Sequence, residues 1–241
     1  MMVPMFADST FLLVIPALIL SLWAQWKVKS TYAKYAQVAN RRGITGAEVA
    51  QHILRDAGVA LAGESGGLGA GVSLEPVAGH LTDHYDPRTR TLRLSQDIFY
   101  GRSVAALGIA AHEVGHAVQH ASGYAPLQAR NFIYPVCALG STLAFPLFVI
   151  GMFLGPGTGQ LVMQLAILLF TAAVGFTGLT LPVEFNASRR AVKALASGGY
   201  LTGDELAGAR RVLSAAAMTY VASTAMALLQ LLRMLLLANR R

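Results

Sequence analysis

Four stretches of the chain carry no charged side chain: Ser9 to Trp26, Phe132 to Leu154, Gly157 to Val183 and Val212 to Leu232. Each is about long enough to cross a hydrocarbon core of roughly 30 Å as a helix. Buried core helices rarely run so far without a charge, so the pattern predicts four membrane spans. Between the first two the pattern changes, and Lys27 to Asn131 mixes polar and apolar positions. A helix over Lys27 to Asn40 continues the first span and breaks at Arg41-Arg42-Gly43. Thr45 then reads as an N-cap, with Glu48 completing a capping box. The helix Gly46 to Asp56 follows, with Val49, Ile53 and Leu54 at helical spacing and Gly58 as its stop. Val72 to Leu94 alternates as strands do, with a turn at Asp86-Pro87-Arg88, and Thr89 to Leu94 reads as one strand of a small sheet or hairpin. Ser95 and Ser103 stand where helix caps would stand. Later, Gly155 to Gly159 (GPGTG) is a tight turn between the second and third spans. Leu181-Pro182 ends the third. A helix over Glu184 to Ala196, a turn at Gly198-Gly199 and a helix opened by Thr202 lead into the last span.

The chain divides accordingly into an N-terminal span (1–26), a polar region (27–131), a helical hairpin in the membrane (132–183), a helical segment (184–211) and a last span with a basic tail (212–241). Met1 to Thr10 contains no Lys or Arg, so the first segment does not read as a cleaved signal peptide. Lys27, Lys29, Lys34, Arg41 and Arg42 follow it, which predicts an outside N-terminus and a cytoplasmic region from Lys27 onward. If all four segments cross, Arg240-Arg241 ends outside, against that trend. The last segment can therefore also be read as oblique or returning. The net charge of +7 is explained by these membrane-flanking clusters and contact with anionic lipid, not by nucleic acid. The one cysteine, Cys137, excludes an intrachain disulfide and a four-cysteine zinc site. The glycine-rich run Gly63 to Gly71 lacks the G-K-S/T that a phosphate loop needs, and reads as a connector.

Chemistry concentrates in His112-Glu113-Val114-Gly115-His116, after the apolar run Val104 to Ala111. Histidines four apart on a helix project from one face and can grip one zinc ion, and a glutamate between them is placed as a general base. The alternative is a buried helix with two hydrogen-bonded core histidines. A catalytic zinc usually takes three protein ligands. A third histidine three residues past a glycine is ruled out, because Gln119 and Ser122 occupy those positions. His120 shares the face but lies about 12 Å along the axis from His112. Of the later carboxylates, Asp204 and Glu205 are accounted for by a helix N-terminus. Glu184, at the end of a span, is the better third ligand. Its alternative is an ordinary carboxylate in the first turn of a helix.

AAHEVGHAVQH, two spans and then LPVEFNASRRA, together with DHYDPRTRTLRLSQDIF before them, resemble the YugP-type family of zinc-dependent membrane peptidases. The resemblance covers about Tyr32 to Arg211. More distantly the chain is similar to HtpX-like membrane proteases and CAAX prenyl proteases. The resemblance implies one zinc ion per chain held by His112, His116 and Glu184, and Glu113 as general base toward a zinc-activated water. It implies a mainly α integral membrane fold of about four transmembrane helices with a small α+β zincin-like (gluzincin-type) catalytic region. The aspartate of the distant pattern falls on Ser188, which hydrogen-bonds but carries no charge. The expected function is an endopeptidase acting on membrane or membrane-proximal proteins, in a multi-pass cell-membrane protein with its site on the cytoplasmic side. The expected partners are membrane lipids, peptide or protein substrates, and a second copy or a membrane protein, with no nucleic acid. The alternatives are a catalytically inactive scaffold that keeps the fold, and a metal-binding or transport protein. Tyr200, His80, His84 and Arg189 are candidates to stabilise an oxyanion, and Thr89 to Leu94 is either an exposed edge for pairing with a substrate peptide or a covered inner strand.

Overall fold

In the computed structural model, residues 9–63 and 71–239 are described. Met1 to Asp8, most of the glycine-rich run and Arg240-Arg241 lie outside them. The order is a 3-10 turn Ser9–Leu13, α1 (Ile15–Ala36), α2 (Gly46–Asp56), β1 (Ser73–Val77), β2 (His84–Asp86), β3 (Thr91–Ser95), α3 (Gln96–Phe99), α4 (Val104–Ala121), α5 (Ala125–Phe153), α6 (Thr158–Ser197) and α7 (Gly203–Asn239). The protein is mainly helical with one small mixed sheet. Among the described residues four helices are long and apolar enough to cross a membrane: Ser9–Ala36, Ala125–Phe153, Thr158–Ser197 and Gly203–Asn239.

α6 outruns the break expected at Pro182, and α5 contains Pro135 and Pro146 within its expected span. Each proline removes one backbone donor from its helix. The helices continue because in an apolar surround the remaining backbone groups have no partners outside the helix. For the same reason no separate helix begins at Glu184, and Thr202 opens a single helix that runs on to Asn239.

The contacts resolve two compact units whose boundaries fall inside the long helices. The first unit gathers the described parts of Met1–Gln25, Ala129–Pro182 and Met218–Arg241. In it α5 and α6 form a hairpin closed at Gly157, whose φ of 85° suits glycine. A Cβ on Gly140 would lie 3.2 Å from the backbone oxygen of Leu169, so the two helices pass closely there. Cys137 is buried, its sulfur 3.5 Å from the carbonyl of Ala172.

The second unit is Trp26–Gln128 with Val183–Ala217. Its core joins Val49, Leu54, Leu92, Leu94, Ile98, Leu107, Val114, Leu195 and Leu201. Each such buried side chain contributes on the order of 2 kcal/mol. α2 is a local-rule helix. The Thr45 hydroxyl accepts from the Glu48 amide, the Glu48 carboxylate accepts from the Thr45 amide, and Val49, Ile53 and Leu54 are buried. The hydrogen bonds to Thr45 hold the Glu48 carboxyl below the usual carboxylate range. The sheet has order β1-β3-β2, with β1 parallel and β2 antiparallel to β3. β3 is therefore an inner strand, which decides between the edge and the covered strand in favour of the second. Arg93 on β3 ties the sheet across its width, 3.5 Å from Glu75 and 3.4 Å from Asp86. Ser103 caps α4 through the Ala106 amide, as its position suggested. Ser95 does not cap α3. Its hydroxyl and its amide both bind the Asp83 carboxylate, which holds the loop before β2. Burial outweighs those bonds and raises the Asp83 pKa above the ordinary aspartate value.

Candidate metal centre

α4 and the Val183–Ser197 part of α6 carry the site, and both belong to the second unit. Val183, Ala187, Ala191 and Leu195 are buried at a spacing of four, the stripe that faces the core. Their small members let α6 come close to α4. Gly115 completes the approach: a Cβ there would sit 2.7 Å from the backbone oxygen of Ala187. The glycine inside the histidine motif is thus a packing requirement for the carboxylate to reach the histidines.

Glu184 is 3 % exposed, and its Oε2 lies 3.2 Å from His112 Nε2 and 3.5 Å from His116 Nε2. The ligand-capable atoms of the three residues all fall within 4.8 Å of one another. A buried carboxylate is costly unless compensated. Here both imidazoles turn their Nε2 atoms toward it. The edge of a zinc tetrahedron with bonds near 2.0–2.1 Å is about 3.3 Å, so the donor set fits that ion in type and spacing.

The far ring nitrogens are held as well. His116 Nδ1 is 3.0 Å from Gln119 Oε1. The Gln119 amide nitrogen is committed to the Val183 carbonyl at 2.8 Å and the Asn186 side-chain oxygen at 3.0 Å. Its oxygen must therefore accept, so His116 Nδ1 carries a proton and Nε2 is the ring atom directed at Glu184. His112 Nδ1 is 3.1 Å from the Ser188 hydroxyl, so this serine stands where the distant pattern has an aspartate. Burial disfavours charge on His116. The neighbouring Glu184 and Glu113 carboxylates and the Gln119 bond outweigh it, and hold its pKa above the ordinary histidine value.

Glu113 lies between the histidines on α4, and its Oε2 accepts from the Tyr85 amide of β2 at 3.1 Å. His120, one turn past His116, is 2.9 Å from the Tyr85 hydroxyl. The oxyanion candidates Tyr200, His80 and His84 each have a hydrogen-bond partner. The Tyr200 hydroxyl donates to Asp56 at 2.8 Å, His80 pairs with Asp97 at 3.2 Å, and His84 Nδ1 is 2.8 Å from the Thr82 carbonyl. Glu205 is buried and accepts from the Arg41 amide at 2.7 Å, so it anchors the α1–α2 connection as well as opening a helix. Gln119 was legible in principle, since a polar residue three positions past His116 shares its helix face. Asn186, two positions past Glu184, does not share that residue's helix face, and its bond to Gln119 exists only through the packing of α4 on α6.

The family model described as "Putative neutral zinc metallopeptidase" matches residues 10–239. The chain belongs to that family. It is also similar to the "Putative membrane protease YugP" of Bacillus subtilis (strain 168), with 48 % identity over 225 residues, covering 93 % of this chain and 94 % of that one. No solved structure matches the chain. Family membership implies zinc, and the His112, His116 and Glu184 group is where the second unit could hold it.

Proposed function

We propose that this chain is a zinc-dependent endopeptidase of membrane and membrane-proximal proteins, with His112, His116 and Glu184 as the metal ligands and Glu113 as the general base. The observation that carries the reading is the convergence of two imidazole Nε2 atoms on one buried carboxylate, with a second carboxylate beside them on α4. Zinc bound there supplies Lewis acidity to a water and to the scissile carbonyl. The protein does the rest. Gln119 and Ser188 orient the two rings. Glu113 takes a proton from the attacking water and returns it to the leaving amine. β2 is the outer strand beside α4, so an extended peptide pairing with the sheet would lie along β2 and not along β3.

Two features support the substrate class and the address. Glu184 follows Pro182 closely at the end of an uncharged segment, which supports a site near the lipid boundary. Lys27, Lys29, Lys34, Arg41 and Arg42 open the same region and favour the cytoplasmic side. The test is hydrolysis of a membrane-protein or casein substrate by the zinc-loaded wild type and by Glu113→Gln. The variant is expected to keep its zinc and lose hydrolysis. Hydrolysis that persists in Glu113→Gln removes Glu113 as the base. A zinc-loaded wild type that cuts nothing favours a scaffold that has kept the fold.

A further inference from the structure

β2 meets α4 at two points of one residue. In an antiparallel pair successive amides point to opposite sides of a strand. Tyr85, opposite Leu92 in the register, sends its amide away from β3 and into the Glu113 carboxylate at 3.1 Å. Its side chain runs the other way along α4, and its hydroxyl reaches His120 Nδ1 at 2.9 Å. Glu113 and His120 are two helical turns apart, roughly 10 Å along the axis. One tyrosine thus bridges the length of helix that contains His116. The chemistry of the pair is consistent. Burial pushes the Tyr85 hydroxyl up to about 12, so it stays protonated and donates. Burial, and then Arg90, holds His120 below the ordinary histidine value, so its neutral ring accepts. The ring of Tyr85 also packs against the core of this unit.

We infer that Tyr85 is a positioning residue for Glu113: its amide holds the base's carboxylate in place, and the Tyr85–His120 hydrogen bond fixes that amide at the correct height on α4. The inference rests on the peptidase reading for its consequence in catalysis, but the latch itself is a property of the free protein. It also means that the outward amide of β2, the donor an incoming peptide backbone would seek, is engaged by Glu113 in the absence of substrate.

The test uses the full, zinc-loaded chain in detergent and two readouts. Hydrogen exchange at the Tyr85 amide is expected to be slow in the wild type and at least about tenfold faster in Glu113→Ala, because the acceptor is gone. In turnover, Tyr85→Phe and His120→Leu are each expected to lower kcat about tenfold, the scale of one lost hydrogen bond, with KM and zinc content unchanged. The double variant should lose no more than either single one, since both remove the same bond. His120→Asn, which keeps an acceptor near the Nδ1 position, should recover most of the activity. Equal exchange at Tyr85 in wild type and Glu113→Ala overturns the latch. Full kcat in Tyr85→Phe, zinc loss that tracks the kcat loss, or additive losses in the double variant overturn the positioning role. Slow exchange lost in Glu113→Ala, in a zinc-loaded wild type that hydrolyses nothing, keeps the latch and removes the peptidase reading.

Discussion

α6 is one unbroken helix whose two parts treat apolar side chains in opposite ways. Before Pro182, one face carries large residues that point outward, with Leu161 and Leu168 each 67 % exposed, while Met163 and Ala166 are buried. After it, a stripe of smaller residues, Val183, Ala187 and Ala191, is buried and Glu184 lies beside them. The first part is hydrophobic because of what surrounds it, since lipid tails are as apolar as leucine. The second part is hydrophobic because of what it touches, and its residues are sized for a close crossing with α4. Total hydrophobicity therefore locates the spans, while residue size and polarity locate the site.

Substitutions separate the positions that face the core from those that face outward. The largest effect is expected from Glu184→Ala, which removes one of three converging donors and leaves two. Metal analysis should find the variant essentially free of zinc while the wild type holds it stoichiometrically. Next comes Gly115→Ala. Its added carbon would meet backbone at 2.7 Å, and backbone cannot swing aside as a side chain can. A destabilisation of about 3 kcal/mol is expected from denaturant unfolding, at the top of the range for overpacking. Gln119→Leu should leave the fold standing and weaken zinc about 10- to 100-fold in a chelator competition, because His116 loses the bond that fixes its tautomer.

The α2 cap is a smaller lever. Thr45→Ala should cost about 1 kcal/mol. Glu48→Gln should show the same site as a pH dependence. The Glu48 pKa is lowered from its ordinary 4.5 in the fold, so its contribution is present above that value and lost as pH falls through the lowered one. The wild type and Glu48→Gln should therefore differ in stability at neutral pH and converge in acid. The smallest effect is expected from Leu168→Val on the outward face of α6, within about 0.5 kcal/mol. A cost there equal to that of Gly115→Ala would erase the distinction between the two parts of the helix.

Much of this was legible along the chain because the rules involved are local. Charge-free runs gave the four apolar helices, the Thr45–Glu48 pair gave α2 with its bounds, and the histidine spacing gave one face of α4. Other features needed the third dimension. Pro182 read as a stop, but α6 runs on through it, as α5 runs through Pro135 and Pro146 inside its expected span. The strand pattern of Thr89 to Leu94 identified a strand without saying that β1, a parallel neighbour from earlier in the chain, would cover one edge and β2 the other. Ser95 looked like a cap because caps are serines, whereas its partner is Asp83, twelve residues back. Gly115 sat inside the motif as a wildcard. Its role depends on the backbone of Ala187, which no periodicity of α4 alone can reveal.

If three side chains from two helices form one metal centre, crystals of the zinc-loaded protein measured at the zinc absorption edge will show it. The anomalous map is predicted to hold one zinc peak per chain within bonding distance of His112 Nε2, His116 Nε2 and a Glu184 carboxylate oxygen. A zinc peak that contacts the histidines but not Glu184, or that lies elsewhere in the chain, would contradict it.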